Sequence, residues 1–251
     1  MASQQKASID ISIIIPAYRE EKRIGRTLDE LAQYLKTDAV LKTKQIEVIV
    51  VSADSPDKTH RLVNRKKGLF ADLILIKPGP QVGKGRDVKV GVLQARGGAI
   101  LFMDADMATP LKHIKEFYDL YLQNNEVIIA TRDFLRYRHN PFRIAVSRLG
   151  NIIFQLAGGV WVEDSQCGFK MFSARAARIC FGHLTITGWG FDMEILTAAR
   201  ANKFPITSVR IHDWEAIPEG VFEDNVIANT ARSFVDLGLI FTRRMRGYYR
   251  S

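Results

Sequence analysis

The chain has 251 residues, 47% of them hydrophobic and 25% charged, which describes an ordinary globular protein with a full core and excludes a fibrous or disordered one. Its 36 basic residues against 27 acidic ones leave a net charge of +9, which points to an anionic partner: nucleic acid, a phosphorylated ligand or a membrane surface. Two cysteines, Cys167 and Cys180, make no disulfide framework or metal-ligand spacing, the start "MASQQKASID" lacks a signal pattern, and no apolar run approaches ~20 residues. The expectation is therefore a cytoplasmic chain with no membrane-spanning helix.

Residues 11–15 are apolar, rich in β-branched side chains and stopped by Pro16, which predicts a buried strand. Ile24, Leu28, Leu31 and Leu35 then recur at helical spacing across 20–36. "IEVIVVS" at 46–52 is a second strand, "SPDKTHRLVNRKK" a turn and helix, and "ADLILIKP" a third strand. "GKGRDVKVGVLQAR" places a Gly-rich loop at the mouth of a helix. "GAILFMDAD" is a fourth strand and "EVIIATR" at 126–132 a fifth. Strands alternating with helices of this length predict a mostly parallel α/β sheet covered on both faces, with ligands beyond the carboxyl ends of its strands.

Beyond residue 133 the pattern changes. The stretch 133–162 is basic with interleaved apolar residues and reads as helical; "DSQCGFKMFS" reads as turn and strand, "GFDMEILTAARANKF" as helix and "PITSVRIHDWE" as a late strand. Residues 224–247 form a last helix ending in "RRMRGYYR". With no repeat, low-complexity tract or linker, 1–251 is expected to be a single domain, in which 133–163 and 224–251 are basic amphipathic segments.

Four polar clusters follow strand ends: Pro16–Tyr18, Ser52–Asp57, Asp104–Asp106 and Thr131–Arg132. Their convergence on one sheet edge is hard to explain as helix capping alone. Asp104 and Asp106 raise the question most sharply, because two like charges so close raise each other's pKa unless a cation sits between them. A polar turn in which Asp106 or Thr109 caps the next helix is the alternative.

The segments "IPAYREEKRI", "GKGRDVKVGVLQARGGAILFMDAD", "DSQCGFKMFS" and "GWGFDMEI", in this order over nearly the whole chain, resemble the GT-A family 2 glycosyltransferases. Within that family the look is of the dolichyl-phosphate β-glucosyltransferases, with polyprenyl-phosphate mannose synthases next. The resemblance implies a Rossmann-like GT-A fold and an inverting, metal-dependent transfer of glucose from UDP-glucose to a polyprenyl phosphate. A GDP-mannose donor, or a non-catalytic nucleotide-sugar binder, is the alternative. The acids Asp104 and Asp106 would hold Mg²⁺ or Mn²⁺, which suits carboxylate oxygens, with His212 as a further ligand. Pro16, Tyr18, Glu20, Asp54, Lys84, Asp104, Ala105 and Arg132 would line the donor. Gly83 and Gly85 would let backbone N–H groups approach phosphate, with Lys84 or Lys89 adding charge. Asp164 would act as general base or orient the acceptor, with Gln166, Lys170, Asp192 and Glu194 lining the same region; because Asp192 and Glu194 alternate with Phe191 and Met193, a solvated surface charge is the alternative for one of them.

One segment departs from the family. "SADSPDKT" puts Ser52 and Ala53 where relatives carry two acids that help read the base or ribose, and Asp54 where they carry glycine. For the acceptor side, Arg136, Arg138, Arg143 and Lys170 are expected to meet phosphate, and interleaved aromatic residues to meet lipid. This implies peripheral attachment to the cytoplasmic face of a membrane. A basic nucleic-acid-binding module is disfavoured: no stacking pattern of aromatic residues is present, and strand-end acids repel phosphate, so no nucleic acid partner is expected.

Overall fold

The computed structural model describes residues 8–132, 152–188, 190–215 and 226–250, with side chains of the last helix from 235 onward. Its strands are β1 (Ile11–Pro16), β2 (Ile46–Val51), β3 (Asp72–Ile76), β4 (Ala99–Met103), β5 (Val127–Arg132), β6 (Phe169–Ser173) and β7 (Ile206–Ile211). Its helices are α1 (Ile24–Thr37), α2 (Thr59–Arg65), α3 (Lys84–Gln94), α4 (His113–Leu122), α5 (152–158), α6 (Ala174–Gly182), α7 (Phe191–Ala201) and α8 (Val226–Met245).

The strands form one sheet in the order β3-β2-β1-β4-β6-β5-β7. Pairing is parallel except for β6, which runs antiparallel to both β4 and β5. Because β6 reverses twice, β1, β2, β4 and β5 all point the same way. Their carboxyl ends therefore share one edge, as the strand-end clusters predict.

The continuous apolar runs follow from burial on both faces. In β1, Ile11, Ile13 and Ile15 pack with α1 and α4 residues such as Leu28, Leu31 and Phe117, whereas Ile14 faces the other layer. That layer, built on Val88, Phe181, Phe191 and Ile195 from α3, α6 and α7, also receives Phe102 of β4. A strand buried on both sides has no polar face to alternate, so its sequence reads as an unbroken hydrophobic stretch.

The sequence pattern leaves α4 and α6 unassigned, and it does not reveal that β6 is reversed. Residues 133–151 lie outside the described residues; of the rest of the expected basic helix, 152–158 is helical and 159–162 is not.

At the amino edge of the sheet the charged groups are closed off. Glu47 of β2 is fully buried and accepts from Ser12 Oγ (2.5 Å), from the Arg96 backbone N–H (2.7 Å) and from Arg96 Nε (2.8 Å). Arg96 also pairs with Asp72, and the Gly97 N–H donates to Ser12 Oγ at 2.8 Å. This knot ties the starts of β1, β2 and β3 to the loop before β4.

Candidate functional site

The carboxyl edge is built differently. Where β4 ends, the Asp104 N–H donates to Gly168 O (3.1 Å), and Thr27 Oγ1 donates to Ala105 O (2.6 Å). The Ala108 N–H donates to Asp106 Oδ1 (3.0 Å), and Met107 takes a left-handed conformation at φ 56°. These bonds fix a tight turn that leaves both carboxylates at the mouth of a cleft lined by Met107, Ala108, Gly168 and Trp214. Neither Asp106 nor Thr109 caps α4, which starts at His113 without a side-chain cap.

The electrostatics of this edge are unresolved by its own residues. Burial, then the charge of Asp104, pushes the Asp106 carboxyl above the usual aspartate range. Burial likewise raises Glu20, with Asp106 and Asp104 adding to the effect, although Arg23 grips it bidentately at 2.7 and 2.8 Å. Asp104 pairs with Lys84 at the start of α3. Oxygen donors crowded in this way fit a hard divalent cation. Asp104 and Asp106 are the carboxylates that could hold one.

Among the described residues no group of three His, Cys, Asp or Glu side chains is arranged to hold a metal ion. His212, expected as a further ligand, is exposed on the turn after β7 and does not complete a triad. Trp214, on the same turn, lines the cleft, and the guanidinium of Arg132 lies 5.5 Å from its ring centre.

The donor-side loops are stitched together. Pro16 pairs with Val51 at the end of β1. Beyond it, the backbone N–H groups of Arg19, Glu20 and Glu21 donate to Ser55 Oγ (2.9 Å), Thr59 Oγ1 (2.9 Å) and Asp57 Oδ2 (3.1 Å). Tyr18 is half-buried beside Arg19. Ser52 and Ala53, the residues that replace the family's acids, are fully buried, and His60 Nε2 lies 3.0 Å from both Ser52 Oγ and Ala53 O. Asp54 is exposed, and its N–H donates to Gly79 O (2.9 Å).

The Gly-rich loop owes its glycines to packing. A Cβ at Gly83 (φ 151°) would lie 2.2 Å from Thr187 O, and one at Gly85 would lie 2.6 Å from Phe191 Cβ. The Gly85 N–H donates to Thr187 O (2.8 Å), so it is not aimed at a phosphate as expected. Lys89 Nζ donates to Leu184 O (2.7 Å), which leaves Lys84 as the basic group of the loop at the cleft.

Arg132 and Asp164 meet in a two-pronged ion pair, Nε–Oδ2 2.6 Å and Nη2–Oδ1 3.0 Å, with Asp164 buried and also accepting the Gln166 N–H (3.1 Å). Lys170, expected at the acceptor, has no exposed surface: its ammonium donates to Cys167 O (2.6 Å) and pairs with Asp192. Asp192 and Glu194 are both buried, which rules out the alternative that one of them is a solvated surface charge. Glu194 instead accepts from the N–H groups of Thr185 and Ile186, from Arg243 and from Tyr249. Arg136, Arg138 and Arg143 lie outside the described residues.

Gly168 escapes the sequence pattern. A Cβ there would lie 2.0 Å from Asp104 Oδ2, so glycine alone admits the carboxylate against the backbone before β6. Trp214 also escapes it; its only sequence signal is an aromatic residue just beyond a strand end.

A model of glycosyl transferase family 2 matches residues 12–179 of the chain. Over 222 residues the chain is 30% identical to the dolichyl-phosphate beta-glucosyltransferase ALG5D of Trichomonas vaginalis, covering 84% of this chain and 68% of that protein. It is 31% identical over 228 residues to the dolichyl-phosphate beta-glucosyltransferase of Homo sapiens, covering 82% of this chain and 68% of that protein. Among solved structures, glucosyl-3-phosphoglycerate synthase from Mycobacterium tuberculosis in complex with UDP superposes with a TM-score of 0.68 at 17% identity, over 94% of this chain and 82% of that one. The same synthase with Mn²⁺, UDP and phosphoglyceric acid gives a TM-score of 0.64 at 16% identity, over 94% and 80%. The fold is that of the GT-A glycosyltransferases.

Proposed function

The chain belongs to glycosyl transferase family 2, and from that premise we propose that it moves glucose from UDP-glucose to a polyprenyl phosphate of the dolichyl type, with inversion. The likeness to dolichyl-phosphate β-glucosyltransferases over more than four-fifths of the chain is the observation that carries this reading. The UDP and Mn²⁺ bound by the structurally similar synthase support a uridine donor and a divalent metal, Mg²⁺ or Mn²⁺.

A metal held by Asp104 and Asp106 would act as a Lewis acid on the departing diphosphate. The chain's own residues do the rest. Lys84 stands at the cleft beside Asp104 and adds positive charge where the diphosphate leaves. Glu20, Tyr18 and Pro16 line the loop next to it, with the Ser52 hydroxyl and His60 imidazole the polar groups at the corner where relatives read the base.

Asp164 serves as an orienting group. Both its oxygens are engaged by Arg132 and the Gln166 N–H, so in this conformation it has no oxygen uncommitted to take a proton. A phosphate acceptor, with its second pKa near ~6, is already ionised at neutral pH and needs no base. Asp164 then holds the Arg132 guanidinium at the strand end, where it meets a phosphate.

A lipid acceptor calls for a membrane surface, and two joined helices offer an apolar one. Among the described residues, nine of the twelve exposed large hydrophobic side chains lie in 152–161 and 235–248, Leu156, Trp161, Phe241 and Met245 among them. Arg244 joins the two segments by donating to Leu156 O (2.8 Å), and Arg246 and Arg250 are exposed nearby. Such a surface suits peripheral attachment to the anionic cytoplasmic face of a membrane. No helix among the described residues is long and apolar enough to cross one.

Calorimetry with UDP, UDP-glucose, GDP and GDP-mannose, each with Mn²⁺ and with EDTA, tests the donor. Binding of the uridine pair that disappears in EDTA is expected. Binding of the guanosine pair alone would replace the glucose donor by a mannose one.

A further inference from the structure

Lys84 stands out among the charged groups of the cleft because it faces acids on two sides. Its ammonium pairs with Asp104 at the end of β4, with side-chain exposures of 18% and 35%. Behind it lies Asp192 of α7, buried against the enclosed ammonium of Lys170. The charges of Asp104, Asp192 and Asp106 all act on the Lys84 ammonium. Five groups thus form one chain of charge: three carboxylates, Asp104, Asp106 and Asp192, against two ammoniums, Lys84 and Lys170.

The two ammoniums differ in what they can do. Lys170 has no exposed surface and two short bonds, to Cys167 O and Asp192, so it is part of the frame. Lys84 is the first residue of α3, next to a glycine on either side, and its long side chain reaches the cleft. The backbone under it is fixed, because Gly83 and Gly85 are locked against Thr187 and Phe191. The side chain can therefore swing while its Cα stays in place. Its partner is closed in on one side, because Asp104 lies against Gly168 with no room for a Cβ between them.

We propose that Lys84 is a tethered stand-in cation, which occupies Asp104 when no metal is bound and is displaced onto the donor's diphosphate when metal and nucleotide arrive together. This rests on the donor-site reading above and adds a coupling to it. The Lys84 ammonium on Asp104 repels a divalent ion arriving at the same carboxylate, so Lys84 opposes the metal alone. A diphosphate gives the displaced ammonium a new partner, so Lys84 favours metal and nucleotide jointly. Binding of metal and nucleotide is therefore cooperative, which keeps Asp104 paired in the resting chain and reserves the metal for the loaded one.

The test is calorimetric titration of the full chain with Mn²⁺ alone, and then with UDP in saturating Mn²⁺, for wild type, Lys84→Met and Lys84→Arg. The exchange predicts opposite signs in Lys84→Met. Mn²⁺ alone binds about fivefold more tightly than to wild type, and UDP binds about tenfold more weakly. Lys84→Arg, which keeps the charge, stays within about twofold of wild type for Mn²⁺ alone. Circular dichroism and melting of each variant without metal establish that it is folded; if Lys84→Met does not fold, Lys84→Gln takes its place.

Unchanged or weaker binding of Mn²⁺ alone by the folded neutral variant overturns the exchange and leaves the donor site standing, with Lys84 a simple phosphate ligand. Failure of the wild-type chain to bind Mn²⁺ even with UDP overturns the donor-site reading, and the exchange falls with it.

Discussion

The two edges of the same sheet handle charge in opposite ways. At the amino edge, Glu47 is fully buried, yet Ser12, the Arg96 backbone and the Arg96 side chain satisfy it. At the carboxyl edge, Asp104, Asp106 and Glu20 stand close enough to push against one another, and Asp106 and Glu20 are held above their ordinary pKa ranges. A closed network rigidifies the frame, whereas a cluster left short of positive charge is poised to take up a cation. The parallel strands feed both edges, and only the carboxyl edge combines an open cleft with surplus negative charge.

That contrast can be broken first at the closed edge. Glu47→Ala should destabilise the chain by about 2–3 kcal/mol in urea unfolding, below the usual cost of breaking a buried pair because the Arg96 side chain is 40% exposed. Donor affinity should stay within about twofold of wild type. A large loss of donor binding with little loss of stability would erase the division between the edges.

Next in size is Gly168→Ala. The added methyl collides with the Asp104 carboxylate, so affinity for UDP with Mn²⁺ should fall at least about tenfold, while stability falls less than in Glu47→Ala. Unchanged affinity would mean that the position of Asp104 does not matter to the donor.

The smallest effect is the most diagnostic, since its sign depends on the metal. Asp106 has a raised pKa in the folded chain, so the folded state holds its proton more tightly than the unfolded state does. Its protonated form favours folding at low pH, and that contribution is lost as pH rises through the raised value. At pH 7 without metal, Asp106→Asn should therefore melt higher than wild type, by about 1–3 °C. The gap should close below about pH 4, where the unfolded aspartate is protonated too. With saturating Mn²⁺ the order should reverse. A variant less stable than wild type in EDTA would show that the acids are not in conflict.

How far the sequence reveals all this depends on burial. The strands β1, β2 and β4 are legible because two-sided burial makes them unbroken apolar runs, and the acids Asp104 and Asp106 are legible because they interrupt one. Helices α4 and α6 bury residues at the spacing i, i+1, i+4 and i+5: His113, Ile114, Phe117, Tyr118, and Ala176, Ala177, Cys180, Phe181. That period is present in the sequence, but aromatic and alanine positions announce it less clearly than the leucines of α1. The direction of β6 has no local signal, because "FKMFS" reads the same in either sense.

Charged residues mislead for a related reason. Lys170 looks available in a linear sequence, but the strand that carries it is covered on both faces, and only Asp192, distant in the chain, makes its burial tolerable. Glu194 is hidden in the same way by Thr185, Arg243 and Tyr249. The contact between Gly168 and Asp104 is a tertiary fact with no periodic trace.

The most direct test of the central claim is transfer of radiolabelled glucose from UDP-glucose to dolichyl phosphate in anionic vesicles, with Mn²⁺ or with EDTA, for wild type and Asp106→Ala. The account predicts a labelled, alkali-stable lipid product with wild type and metal, and none with EDTA or with the variant. Equal product in EDTA, or transfer that survives Asp106→Ala, would contradict a metal-dependent donor site at the carboxyl edge.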